Sequence, residues 1–216
     1  MKHEVTVMNE ELKERLKKLE DNYDGTEFLS IVNKVKKDRI NDEELIEQIE
    51  TISLKRFREK VPLTLGTFAG NALEIAGTIV GVVLPYLLNN DFAYYISALI
   101  LMTTLHPLSH FFTGSVFGIR FTHYYLNGPA RIEPTLRINY YSYLKTKSEK
   151  RALMHASGVI GTLLAPLIAA HIAFYSGDVD VAQNLIYFFL LLIVFELLTS
   201  TKIGDLMKAK REYGYR

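Results

Sequence analysis

The sequence contains no cysteine among its 216 residues. The chain can therefore form no disulfide framework, and a metal site would have to use histidine, carboxylate or backbone ligands. The formal net charge at pH 7 is only +1, which argues against a general nucleic-acid binder. The first twenty residues are polar and charged, so we expect no signal peptide. These absences leave a protein whose partners are not nucleic acids.

Charge is also scarce over most of the chain, although the average composition hides this. Residues 1–60 hold 28 of the 49 charged residues, and the other 156 residues hold only 21. The sequence therefore divides into a charged part, residues 1–60, and an apolar part, residues 61–216. Such a division indicates two parts that lie in different environments.

The apolar part contains four long hydrophobic stretches, which are residues 61–90, 92–119, 152–175 and 181–201. The second and third contain no charged residue, and the first and fourth contain one each, Glu74 and Glu196. About 20 apolar residues in a helix cross the core of a bilayer, whereas a helix of a soluble protein needs a polar face. We therefore predict an α-helical polytopic membrane protein with four transmembrane helices.

The loops between these stretches differ in charge, and the difference predicts the orientation. The short loops at residues 89–91 and 176–180 contain no lysine or arginine. The middle loop, residues 120–151, contains seven, and the tail from residue 202 contains five. Because positive residues stay on the cytoplasmic side, we expect a multi-pass protein of the cell membrane with both termini and the middle loop in the cytoplasm.

Two regions outside the apolar stretches have patterns of their own. In residues 1–60, an Asn41-Asp-Glu-Glu segment precedes Leu45, Ile46 and Ile49 at helical spacing. This pattern is typical of a capped amphipathic helix and predicts a short helical cytoplasmic module. In the middle loop, apolar and polar residues alternate on both sides of Asn127-Gly-Pro. This alternation predicts a small β-hairpin region between the second and third spans.

Histidines occur inside the second apolar stretch, as His106-Pro-Leu-Ser-His110. Residues four apart share one face of a helix, so both imidazoles can reach one ion. An ionisable group inside a bilayer is costly and is usually kept for function, which favours a metal site. The alternative is that both histidines only form hydrogen bonds with neighbouring helices.

Two further polar residues lie at a similar depth on other predicted helices. At 1.5 Å per residue, His106 lies about 21 Å from the outer edge of its span and Glu196 about 22 Å from the edge of its own. His155 lies about 6 Å from the cytoplasmic end of the third span. Both residues could belong to the site. Glu196 could instead be a neutral carboxyl that forms hydrogen bonds within the bundle, and His155 a contact near a helix start.

These residues resemble the catalytic core of site-2 proteases, the intramembrane zinc metalloproteases. That family has an HExxH motif on one transmembrane helix, then a β-hairpin region, a helix with a small-residue motif and a later segment with an aspartate. Here His106-Pro-Leu-Ser-His110 takes the place of HExxH, and residues 155–162 resemble the small-residue motif. Residues 195–205, which end in Asp205, resemble the last segment, offset by one residue. The resemblance covers residues 92–207.

The resemblance implies a zinc ion held by His106, His110 and Asp205, with Glu196 or His155 as alternative third ligands. The zinc would activate water that attacks a membrane-embedded peptide or protein substrate near the cytoplasmic face. His155 would stabilise an oxyanion or add a ligand. For Asp205 to reach the histidines, the chain after Thr199 has to unwind and fold back, as in the family.

Pro107 stands where the family has its general-base glutamate, and this departure leaves several functions open. Glu196 is the first candidate for a replacement base, and Glu133 on the middle loop is the second. A pseudoenzyme that keeps the fold and the metal but cleaves nothing is the main alternative. A metal-dependent reaction on a lipid is another, whereas four spans without a repeat give little room for a transporter.

Overall fold

A computed structural model of the chain describes residues 2–127 and 133–216, and it describes the side chains from residue 7 onward. Most of the described elements are helices, and the three described strands pair with one another. In chain order the elements are α1 (Lys2–Asp21), α2 (Gly25–Lys37), α3 (Glu43–Lys60), β1 (Thr64–Gly66), α4 (Thr67–Leu88), α5 (Asp91–Val116), β2 (Phe121–Asn127), β3 (Glu133–Ile138), α6 (Tyr140–Lys145), α7 (Ser148–Tyr175), α8 (Val179–Thr199) and α9 (Asp205–Tyr213).

The first three helices form the N-terminal module, residues 2–60, around a core of their own. The side chain of Asp24 accepts hydrogen bonds from the first turn of α2, and that of Asp42 does the same for α3. Both aspartates satisfy amide groups that a helix start leaves without a partner. The largest fully buried residues of this core are Leu12, Leu16, Ile31, Leu45, Ile46, Ile49 and Ile52. A helical N-terminal part was predicted, and it is confirmed.

Four helices, α4, α5, α7 and α8, are long and apolar enough to cross a membrane. They coincide with the four apolar stretches of the sequence. Large apolar side chains lie exposed on α4 and α8, among them Phe68, Leu87 and Leu191. A water-soluble protein rarely exposes apolar surface on this scale, whereas a bilayer would cover it.

The strands form one small antiparallel sheet in the order β1-β2-β3. Tyr124 in the middle strand pairs with Leu65 on one side and with Leu136 on the other. The hairpin of β2 and β3 was predicted, but β1 was not, because three residues are too short for an alternating pattern. As the last strand in this order, β3 has one edge facing away from β2.

Helices α5 and α7 form the centre of the apolar part, with α4 and α8 packed outside them. Gly161 of α7 permits this close approach, because an added Cβ atom there would lie 2.5 Å from the backbone oxygen of Leu105 in α5. A backbone atom cannot move aside as the end of a side chain can. Gly161 therefore sets the distance between the two central helices.

The N-terminal module docks on the middle loop through buried or half-buried polar contacts. Glu50 of α3 accepts hydrogen bonds from the Arg137 guanidinium at 2.9 Å and from the Tyr140 amide at 2.7 Å. Tyr140, Tyr141 and Leu144 also pack against the core of the module. The module is thus attached to the loop that joins the two central helices.

We predict that Gly161→Ala destabilises the fold by about 1–3 kcal/mol, the usual cost of inserting atoms into a packed interface. This loss exceeds the gain of up to about 1 kcal/mol that alanine brings over glycine within a helix. Thermal unfolding in detergent micelles measures the difference. Gly66→Ala is the control, since a Cβ atom at Gly66 meets nothing within 4 Å. Equal melting temperatures for the two variants would contradict this role of Gly161.

Candidate metal centre

Two imidazoles of α5 meet on the face of that helix that packs against α7. The Nε2 atoms of His106 and His110 lie 3.3 Å apart, and their ring planes are nearly perpendicular. Residues at positions i and i+4 point the same way from a helix, which explains the meeting. The helix runs without a break through Pro107.

A turn after α8 brings a carboxylate to the same place. Helix α8 ends at Thr199, and after five intervening residues α9 begins with Asp205. Ser200 stabilises this turn, because its hydroxyl accepts from the Leu206 amide at 3.1 Å and its carbonyl from the Met207 amide at 2.8 Å. The chain after Thr199 thus folds back as the sequence required for Asp205 to reach the histidines.

The three side chains present one atom each to a common point. Asp205 Oδ2 lies 3.2 Å from His106 Nε2 and 3.1 Å from His110 Nε2. Ligands of a tetrahedral ion at about 2.0–2.1 Å are separated by about 3.3–3.4 Å. The observed triangle therefore has the size of one face of a tetrahedral metal site. His106, His110 and Asp205 could hold a metal ion.

The outer nitrogen of each imidazole has a fixed partner on α7. His110 Nδ1 lies 2.7 Å from the carbonyl oxygen of Met154, which can only accept, so this nitrogen carries the proton. His106 Nδ1 lies 2.9 Å from Thr162 Oγ1, whose own proton goes to the carbonyl oxygen of Gly158. In their neutral form, both imidazoles would therefore direct an unprotonated Nε2 at the shared point.

This assignment leaves three acceptor atoms facing one another within 3.3 Å, without a proton between them. Lone pairs and a carboxylate at such distances repel unless a cation lies among them. One imidazolium proton would satisfy two of the three acceptors. A divalent metal ion would satisfy all three at once, so the donor set fits a metal better than it fits a proton.

Two neighbours shape the centre. Lys208 Nζ donates to the other carboxylate oxygen of Asp205 at 2.9 Å, which leaves Oδ2 as the oxygen that faces the histidines. Gly158 of α7 makes room for the rings, since an added Cβ atom would lie 2.2 Å from His110 Nε2. Any larger residue at this position would occupy the space of the imidazole.

His155 lies beside the centre but outside the ligand group. Its ring centroid is 6.4 Å from that of His110, and its Nε2 is 2.8 Å from the hydroxyl of Tyr143. Burial raises the pKa of Tyr143 well above its usual value, so this residue remains a neutral phenol that can share a proton with His155. His155 therefore remains a candidate for contact with substrate.

The centre opens into a cavity of about 300 Å³. His155, Lys208 and Glu133 line it together with the three candidate ligands, and so does most of β3. Glu196, the other predicted catalytic residue, lies on α8 one turn before the fold-back and is not among the described residues of the cavity wall. The structure thus brings five of the proposed residues to one cavity and leaves Glu196 outside it.

Sequence reasoning missed the residues that orient the ligands, namely Thr162, Lys208 and Tyr143. Thr162 had a detectable signal, because it lies four residues after Gly158 on the same face of an apolar helix. The role of Lys208 depends on the fold-back of α9, and that of Tyr143 on helix α6. No local sequence pattern predicts either feature.

Comparison of the chain with protein-family models, with curated proteins and with solved structures finds no match. The function therefore has to be argued from the geometry of the chain itself.

We predict that the purified protein binds one zinc ion per chain and that His106→Ala, His110→Ala and Asp205→Ala each abolish stoichiometric binding. Each variant leaves only two ligands, whereas structural and catalytic zinc sites use at least three from the protein. Elemental analysis after zinc loading and desalting measures the content. His171→Ala, which alters a histidine outside the ligand group, is the control. Metal content that stays the same in all four variants would contradict the site.

The hydrogen bond of His106 gives a separate prediction. Thr162→Val keeps the size of the side chain but removes the acceptor for Nδ1, so zinc affinity should fall by about 10–100-fold. Thr162→Ser retains a hydroxyl and should bind zinc nearly as well as the unaltered protein. Competition with a chromophoric chelator measures both affinities. If the Thr162→Val variant binds zinc as tightly as the Thr162→Ser variant, Thr162 does not orient His106.

Proposed function

We propose that the chain is a membrane-embedded, zinc-dependent hydrolase of the site-2 protease type that acts on an extended peptide. The observation that carries this proposal is the triangle of His106 Nε2, His110 Nε2 and Asp205 Oδ2, which opens into a cavity. Three protein ligands and one free position are the arrangement of catalytic zinc sites, whereas structural sites use four protein ligands.

Insertion into the cell membrane, with both termini in the cytoplasm, is part of the same proposal. The exposed apolar surfaces of α4 and α8 support insertion. The excess of lysine and arginine in residues 120–151 supports the orientation. With this orientation the cavity and the N-terminal module lie at the cytoplasmic side, where the peptide would enter.

The sheet supports an extended substrate. Five residues of β3 line the cavity, and β3 is the outer strand of the sheet on that side. A peptide can add to such an edge through backbone hydrogen bonds, which requires little of its sequence. A peptide bound in this way would lie between β3 and the ligands, with a backbone carbonyl near the free position.

A zinc ion in this centre would polarise the carbonyl and lower the pKa of water. Three side chains of the chain would act beside it. Glu133 would take the proton of the attacking water, since it lines the cavity and Pro107 cannot. Lys208 would keep Oδ2 of Asp205 directed at the centre. His155, held by Tyr143, would donate a hydrogen bond to the developing oxyanion.

A pseudoenzyme is the second candidate, and Pro107 is the observation that favours it. Loss of a general base typically costs 10²–10⁴-fold in rate, so a chain that keeps the ligands but lacks the base can be left with little activity. Such a protein would bind membrane peptides at the β3 edge and use its N-terminal module to contact a partner.

We predict that the zinc-loaded protein in detergent or liposomes cleaves a membrane-derived peptide and that Glu133→Gln lowers kcat by about 10²–10⁴-fold. The amide has the same shape but cannot accept the proton. Zinc content and KM should stay close to those of the unaltered protein. Mass spectrometry of a peptide library identifies the substrate and the cleaved bond.

Glu196→Gln is the competing variant in the same assay. A larger loss of kcat in Glu196→Gln than in Glu133→Gln would identify Glu196 of α8 as the general base instead. If the unaltered, zinc-loaded protein binds peptides and cleaves none of them, the pseudoenzyme replaces the hydrolase.

A further inference from the structure

Helix α9 carries the third candidate ligand at one end and a buried carboxylate at the other. Asp205 and Glu212 lie seven residues apart, which is close to two helical turns and places them on one face. They are the buried residues of this helix, and Glu212 has no exposure to solvent. Leu206 and Met207 of this short helix are half-buried, and the contacts of Asp205 and Glu212 anchor its two ends.

Glu212 joins three parts of the chain. One carboxylate oxygen accepts from Lys36 Nζ of α2 at 2.6 Å, and the other accepts from Arg151 Nε of α7 at 2.7 Å. Both cations are almost fully buried. Burial raises the pKa of Glu212, but the two cations outweigh burial and hold it below its usual value, so Glu212 is a carboxylate. Lys36 thus joins the N-terminal module to α9 through a buried ion pair.

The same cluster reaches the wall of the cavity. The ring of Tyr143 lies 4.9 Å from Lys36 Nζ and 5.3 Å from the guanidinium of Arg151, which are distances of a cation–π contact. The hydroxyl of this tyrosine contacts His155. A shift of Lys36 would therefore be felt at both Asp205 and His155.

We propose that Lys36 is a positioning residue of the metal centre, so that docking of the N-terminal module sets the affinity for the metal. With Lys36 in place, α9 is fixed at Ser200 by the turn and at Glu212 by the cluster. Without it, α9 keeps the turn and Arg151 but loses its ion pair with the module, while Asn33 of the module still accepts a hydrogen bond from Tyr215, two residues past the end of α9. Asp205 then moves relative to the histidines, and small displacements of a ligand weaken metal binding. The proposal rests on the metal centre of the proposed function.

Charge makes Lys36 a better residue to vary than Glu212. Glu212→Gln would leave two buried cations without a counter-ion, which is strongly destabilising. Lys36→Met replaces one cation by an uncharged side chain of similar length. Glu212 stays paired with Arg151, so the cluster becomes neutral. We therefore expect Lys36→Met to fold. Lys36→Gln, which keeps a donor for Glu212 without the charge, carries the same test if the methionine variant does not fold.

The test compares zinc affinities by competition with a chromophoric chelator, using the full chain in detergent. Lys36→Met should weaken zinc binding by about 10–100-fold, as other residues that orient metal ligands do. Lys36→Arg should restore most of the affinity. The visible spectrum of the cobalt(II)-loaded protein is a second readout, since a displaced Asp205 changes the intensity of its bands.

Lys145→Met is the matched control. Lys145 Nζ also joins the module to the rest of the chain, through Glu43 at 2.5 Å, but it does not touch α9. The Lys145→Met variant should bind zinc like the unaltered protein. A folded Lys36→Met that keeps full zinc affinity would overturn the proposal, and so would an equal loss in Lys145→Met. Absence of zinc from the unaltered protein would instead overturn the proposed function, and this inference with it.

Discussion

The close approach of two unprotonated imidazole nitrogens and one carboxylate oxygen is the constraint on which the rest of the site depends. Three acceptors within 3.3 Å repel one another, and a cation among them would remove this repulsion. The surrounding structure holds the acceptors there. Met154 and Thr162 turn the rings, Gly158 makes room for them, and Lys208 takes the other oxygen of Asp205. Packing alone would not favour three acceptors so close together, so their meeting indicates a functional site.

The N-terminal module is connected to the metal centre through charged side chains. It has an apolar core of its own, and its contacts with the rest of the chain combine the packing of Tyr140, Tyr141 and Leu144 with ion pairs, two of them through Glu50 and Glu212. Both pairs are largely buried, so removal of one partner would leave an unpaired buried charge. The pair of Lys36 and Glu212 thus connects the module to the helix that begins with Asp205.

Much of the architecture could be predicted from the sequence, and the part that could not has physical reasons. Long apolar runs and their charged loops indicate four spans without knowledge of packing, and the spacing of His106 and His110 identifies one helix face. Glu196 was predicted from its depth on α8, but depth gives only the position along a helix, and Glu196 is not among the described residues of the cavity wall. The pair of Lys36 and Glu212 joins residues 176 positions apart, and no local pattern reports such a contact.

X-ray absorption at the zinc edge of the purified, zinc-loaded protein tests the central claim most directly. We expect about four nitrogen or oxygen ligands at about 2.0–2.1 Å, with the multiple-scattering signature of two imidazoles. A folded protein that takes up no zinc at stoichiometric concentration, or a zinc ion surrounded by oxygen alone, would contradict the claim that His106, His110 and Asp205 form a metal centre.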